Sequence, residues 1–200
     1  MRTARVNSPT RERLLDAAQA LMLARGFTAT TVDQICKKAK FTKGSFFHYF
    51  ESKDALGKQL LERFCAQAHR LHTSFCGDER DPLKRVYNYV DCAIALSKDP
   101  VMSRGCLLGT FAQELSEVHP EIRRVCAKGF TEWTEQFGKE LAAAKAKHAP
   151  QASFDPRSIA EHLIAIMEGS LILGKARKDM KVAERNLRHF KAYLKMLFVR

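Results

Sequence analysis

The densest set of chemically capable side chains lies in Phe41-Thr42-Lys43-Gly44-Ser45-Phe46-Phe47-His48-Tyr49-Phe50. Thr42, Lys43, Ser45, His48 and Tyr49 offer hydroxyls, an ammonium and two rings with polar tips, and Gly44 lets a backbone approach a phosphate closely. This is a repertoire for binding rather than bond-breaking, because hydroxyls and ammonium groups read both phosphates and base edges. Other candidates for chemistry are thinner. Six cysteines (36, 65, 76, 92, 106 and 126) form no Cys-x-x-Cys pair and no Cys/His cluster at zinc spacing, so thiols that mostly fill the core are expected, and no metal. His162 and His189 lack partners at ligand spacing and read as surface or interface residues. Glu114 and Glu117, three apart on a helix, read as a solvated face. With no GxGxxG or P-loop pattern, nucleotide binding and cofactors have no support. A thiol enzyme pairing a cysteine with a histidine is the one formal route to catalysis, and no catalytic residue is assigned.

The elements that must position the first set are short. Thr31 is a good N-cap and Gln34 completes a capping box, which predicts a helix from Val32 to about Ala39 with Val32, Ile35 and Ala39 on its apolar face. Lys40-Phe41 leaves room only for a sharp corner. Thr42 caps a second helix over Lys43 to Tyr49, with Phe46 and Phe50 turned inward, and Ser52 caps a third. Two helices across so tight a turn have the geometry of a DNA-binding helix-turn-helix, or of an ordinary αα-hairpin with a solvated basic face.

The residues decide between these where spacing does not. Phe41 to Phe50, followed by Ser52-Lys53 and Leu56, resembles the recognition helix of the TetR family of transcriptional repressors, and the upstream TTVDQI is similar to that family's first motif helix. The match covers roughly residues 8 to 64. It departs at Phe47, where the family usually has a tyrosine whose hydroxyl reaches a DNA phosphate; Tyr49 is the substitute hydroxyl. The resemblance implies a ligand-responsive repressor that binds a palindromic operator in double-stranded DNA. Phosphate contacts are expected from Thr31, Thr42, Lys53 and Tyr49, base contacts from Lys43, Ser45 and His48, with Gly44 and Phe47 also in the interface.

Composition agrees with an acidic polymer as partner. The formal charge is +12, half of it in the first 63 residues. No apolar run reaches the ~18–20 residues that span a bilayer, and MRTARVNSPTRER lacks the apolar core of a signal peptide, so a cytoplasmic protein with no membrane partner is expected.

Along the chain, Arg2 and Arg5 belong to an arm that is either a disordered tail or lies along DNA. Ser8-Pro9 starts a helix ending at Gly26, and the helix capped by Ser52 runs to about Phe75. Gly77-Asp78-Glu79-Arg80 is the best boundary, giving a DNA-binding domain over 1–52, a connecting helix over 53–76 and a ligand-binding and dimerisation domain over 77–200. Further helices are predicted from Asp81-Pro82 to about Ser97, stopped by Asp99-Pro100, from about Arg104 to Ser116, from His119-Pro120 to about Lys147, from Asp155-Pro156, and from about Met180. The fold class is all-α, about nine helices, with no strand and no repeat.

The apolar stripes Leu163, Met167, Leu171 and Leu187, Phe190, Leu194 exceed what one chain end needs, and the resemblance implies a homodimer through a four-helix interface there; closing the monomer's own core is the competing use. Phe111, Phe130, Trp133, Phe137 and Met167 are candidates for lining a small-molecule cavity. Cys106, in Arg104-Gly105-Cys106-Leu107-Leu108, is expected in the first turn of a helix, where amides and Arg104 favour the thiolate and Gly105 leaves the sulfur unshielded. Gly-Cys-Leu, with Gly174-Lys175-Ala176 far downstream, is similar to the sensor halves of some TetR-type repressors that respond to electrophiles or oxidants. That likeness makes Cys106 a candidate sensor and Lys175 its cationic partner, against an inert thiol at a helix junction. A helical adaptor that binds another protein, without specific DNA binding, is the rival function.

Overall fold

Four helices open on a proline, whose missing N–H is one the first turn has no use for and whose φ is already helical. They are α1 (Pro9–Arg25), α5 (Pro82–Leu96), α7 (Pro120–His148) and α8 (Pro156–Arg177). Asp81 caps α5 by accepting the Leu83 and Lys84 amides at 3.0 Å each, and Asp155 caps α8 through the Ser158 amide at 2.8 Å. Ser8 is different: its hydroxyl makes no cap bond and pairs with the Tyr49 hydroxyl at 2.9 Å. The remaining helices are α2 (Val32–Ala39), α3 (Lys43–Tyr49), α4 (Lys53–Cys76), α6 (Leu107–Leu115) and α9 (Lys181–Leu197). The structure, a computed structural model, describes residues 8–99 and 102–199. Among them there are nine α-helices, one short 3-10 turn (Met102–Arg104) and no strand, the all-α class expected. Arg2, Arg5 and Pro100 lie outside the described residues.

The chain divides into two compact units: residues 1–65 with 106–129, and residues 66–105 with 130–200. This differs from the boundary at Gly77 that polar, turn-rich sequence points to. The division falls within α4 after Cys65 and within α7 after Gly129, because α6 folds back onto the N-terminal helices.

In the first unit α1 packs on α2, α3 and α6. Its buried side chains include Leu14, Leu15, Ala18 and Met22 of α1, Ile35 of α2, Phe46 of α3 and Phe50 just after it, Leu56, Leu60 and Leu61 of α4, and Phe111 and Leu115 of α6. Arg63 ties α4 to α1 through Glu12 (3.0 Å) and Gln19 (2.9 Å). The second unit is built on Val86, Tyr89, Val90 and Ala93 of α5, Phe137 and Leu141 of α7, Ile159 and Leu163 of α8, and Leu187, Phe190 and Leu194 of α9.

Candidate functional site

The helix-turn-helix is specified by its end chemistry. Thr31 and Gln34 form the reciprocal capping box, the threonine hydroxyl accepting the Gln34 amide (3.3 Å) and the Gln34 carboxamide oxygen accepting the Thr31 amide (3.0 Å). At the other end of α2, Lys40 takes the left-handed conformation (φ 61°). Its N–H donates to the Lys37 carbonyl and that of Phe41 to the Cys36 carbonyl, a Schellman motif that turns the chain within two residues. Thr42 then caps α3, accepting the Ser45 amide at 3.1 Å while its hydroxyl pairs with that of Ser45. Ser52 caps α4 through the Ala55 amide.

These caps leave one face of α3 outward. Thr42, Lys43, Gly44 and His48 are exposed, as is Thr31 at the start of α2, and Ser45 is half-buried. Phe47 is 54% exposed, a large apolar side chain turned to solvent. Lys43 meets Asp33 of α2 at 2.8 Å, a solvent-facing pair of the kind that contributes little to stability and yields readily to a better anion. Phe46 and Phe50 face inward, as their spacing indicates.

Two expected phosphate contacts are committed elsewhere. The Tyr49 hydroxyl is held by Ser8, so it fastens α3 to the start of α1. Lys53 donates from Nζ to the carbonyls of Phe27 and Thr30, both at 3.0 Å, and its ammonium stands 4.3 Å from the Phe27 ring centroid. It clasps the loop between α1 and α2 from behind.

A residue read from sequence as solvated completes that clasp. Glu114 of α6 accepts the backbone N–H of Phe27 and of Thr28, both at 2.7 Å. Gly26 makes room for it: φ is +87°, and an added Cβ would stand 2.7 Å from Glu114 Oε2. Burial alone would raise the Glu114 carboxyl; bonds from Thr28 and Phe27 and the charge of Lys53 outweigh it and hold its pKa below the usual carboxylate range. Phe111, one turn earlier on α6, meets the Phe27 ring edge-on at 5.2 Å. Glu114→Gln keeps one acceptor but sets an amide N–H₂ against a backbone N–H. It should lower the unfolding free energy by about 2 kcal/mol, read from urea melts at neutral pH. The deficit should shrink as pH falls through the depressed pKa of the parent's carboxylate, since a lowered folded pKa contributes stability only above it.

The candidate effector residues separate. Cys106 and Phe111 belong to the first unit, Phe130, Trp133, Phe137, Met167 and Lys175 to the second. Phe111 is fully buried against Phe27 and is core. Cys106 stands at the N-cap of α6 rather than in its first turn, makes no side-chain cap bond, and is 7% exposed, so its sulfur is shielded despite Gly105. Lys175 is exposed in the last turn of α8. Trp133 and Met167 pack against the core layer that contains Phe137. Phe130 lines an open depression of about 230 Å³ with Thr131, Thr134, Arg157, Glu161 and Ile164.

The interface candidates are also redistributed. Leu163, Leu187, Phe190 and Leu194 are buried within the chain's own core, because α9 lies along α8 and fills the groove between it and α5. Met167 and Leu171 are half-buried. Outward from the same two helices stand Ile172, Leu173, Tyr193 and Met196, which periodicity had not singled out.

Similarity to known proteins agrees with this architecture. Residues 14–60 match the family of bacterial regulatory proteins known as the tetR family, and residues 82–190 match the tetracyclin repressor-like C-terminal domain. The chain belongs to the TetR family. It is 29% identical over 173 residues to the HTH-type transcriptional repressor DhaR of Mycobacterium sp. (strain GP1), covering 86% of this chain and 85% of that one. It is also 29% identical over 186 residues to the HTH-type transcriptional repressor NemR of Escherichia coli (strain K12), covering 91% and 92%. The crystal structure of the reduced form of E. coli NemR superposes with a TM-score of 0.78 over 92% of this chain and 96% of that one. A TetR transcriptional regulator from Chloroflexus aurantiacus shares the fold, with a TM-score of 0.84 at 22% identity, covering 98% and 97%. The helix-turn-helix of α2 and α3 lies within the segment that matches the tetR family of bacterial regulatory proteins. No helix among the described residues is long and apolar enough to cross a membrane.

Proposed function

We infer that the protein is a transcriptional repressor in the cytoplasm that binds a palindromic operator as a homodimer and leaves it when a small molecule occupies its C-terminal unit. The observation that carries the DNA part is Gly44. A Cβ there would meet only Thr42 Oγ1, at an ordinary 3.6 Å, so nothing inside the chain requires glycine at an exposed helical position. Close approach of a phosphate backbone is a reason that does. Thr31, Thr42 and the first amides of α3 then serve phosphates, while Lys43, Ser45 and His48 face base edges and the exposed Phe47 ring suits a thymine methyl.

Lys43→Ala should cost about 1–3 kcal/mol of operator affinity and relax specificity at one base position. A gel-shift comparison on operator variants reads both. Unchanged affinity with unchanged base preference would remove Lys43 from the interface.

Dimerisation is supported by Ile172, Leu173, Tyr193 and Met196, four large apolar side chains exposed on α8 and α9. Tyr193→Glu or Leu173→Glu should weaken self-association at least tenfold, because each buried apolar side chain contributes about 1.5–3 kcal/mol. Sedimentation velocity at micromolar protein measures it. A parent chain that sediments as a monomer yet binds one intact palindrome would refute the dimer.

For the effector, the burial of Cys106 favours a reversibly bound small molecule over thiol chemistry. If mild oxidant releases operator from the parent but not from Cys106→Ser, the sensor role returns.

A further inference from the structure

Two nitrogens in the C-terminal unit, His72 Nδ1 and Trp133 Nε1, are buried with no hydrogen-bond partner. His72, on α4, is 5% exposed, and its ring lies flat on Tyr89 with centroids 3.8 Å apart and planes 8° from parallel. Tyr89 stacks in turn on Phe137 at 4.5 Å. Trp133 precedes Phe137 by one helical turn on α7 and packs against the same apolar layer, as does Met167 of α8. Buried polar atoms without partners are rare because each disfavours the folded state. Two of them on one aromatic layer point to a partner that the chain itself does not supply.

We propose that His72 and Trp133 are the polar contacts of the effector site, and that the effector is an uncharged, largely apolar, flat molecule carrying a hydrogen-bond acceptor such as a carbonyl oxygen. The proposal rests on the reading above that a small molecule governs operator binding. An indole N–H only donates, so the ligand needs an acceptor. Burial, with the nearby His69 charge adding to it, holds the His72 pKa down to about 4, so at neutral pH this ring is uncharged and donates or accepts through Nδ1. A charged ligand set among Val, Leu, Tyr and Phe side chains would lose its hydration without gaining a counter-ion. Phe130, parallel to Trp133 at 6.5 Å, also lines the open depression.

Acetophenone, ethylbenzene and benzoate present similar bodies with a neutral acceptor, no acceptor and a negative charge. In calorimetric titrations of the full chain, acetophenone should bind at least about tenfold more tightly than ethylbenzene, and benzoate should give no heat. His72→Phe and Trp133→Phe keep a ring in place and remove the nitrogen; each should bring the acetophenone-to-ethylbenzene ratio close to one. Equal affinity for the two neutral probes in the parent, no binding of either, or a ratio unmoved in both variants overturns the assignment. Operator release is measured separately by gel shift. Acetophenone that binds through these residues yet leaves the operator complex intact upholds the site and overturns the effector reading on which it rests.

Discussion

Lys53→Met should unfold the N-terminal unit well before it changes how DNA is read. The substitution removes two charge-assisted bonds of 3.0 Å to the Phe27 and Thr30 carbonyls and the cation over the Phe27 ring. The Phe27 carbonyl keeps the Thr30 amide at 3.1 Å; the Thr30 carbonyl loses the ammonium. Bonds to charged groups contribute about 1.5–3 kcal/mol each and are not additive here, so a loss of about 3 kcal/mol is expected. A phosphate-binding lysine would behave in the opposite way. It would leave the melting temperature alone and lower the slope of log affinity against log salt by about one unit. For Lys53→Met the expected result is a melting temperature lower by several degrees and a salt slope equal to the parent's, measured where both proteins are folded. An unchanged melt with a reduced slope would return Lys53 to the DNA.

The contrast shows which features are visible in a sequence. Caps are local: Thr31 with Gln34, Thr42 with Ser45, Ser52 with Ala55, Asp81 with Leu83 and Asp155 with Ser158 act over two or three residues, and five of the nine described helices begin where such a pair announces it. The outward residues of α3 are visible for the same reason, since a seven-residue helix between two caps leaves few ways to turn. Glu114 is not, because the amides it accepts lie 86 and 87 residues away and a carboxylate three residues from another looks like solvent decoration. Lys53 beside a helix start has the same local signature whether it serves a phosphate or two carbonyls. The stripe Leu187, Phe190 and Leu194 fails differently: a 3.6-residue period marks a buried face without saying whether the same chain or a second copy buries it. Here α8 and α5 already fill that role, and the surface left for a partner is the less periodic set from Ile172 to Met196.

Histidine burial makes a further quantity testable, and it acts in the other unit. His72 has its pKa down to about 4, through burial first and the charge of His69 second, against an ordinary value near 6.5 in an unfolded chain. The folded protein therefore holds this ring neutral while the unfolded chain takes up a proton between those two values. Where the unfolded state binds more protons, stability rises with pH, so it must fall as pH is lowered from about 6.5 to about 4. Two and a half units correspond to roughly 3 kcal/mol, a large share of a domain's stability. Asp81 contributes in a lower window. Its carboxyl is held well below the usual range, by bonds first from Lys147 and then from the Lys84 amide and His148, so that stability is lost only as pH falls under the ordinary aspartate value near 3.9. Between pH 6.5 and 4.5 His72 should dominate. His72→Phe keeps an aromatic ring on Tyr89 and removes the titration. Urea unfolding followed by the fluorescence of Trp133, the chain's single tryptophan, should show the parent losing about 2–3 kcal/mol between pH 7 and pH 4.5, and the variant losing far less. Parallel losses in the two proteins would mean that His72 is charged and partnered in the folded state.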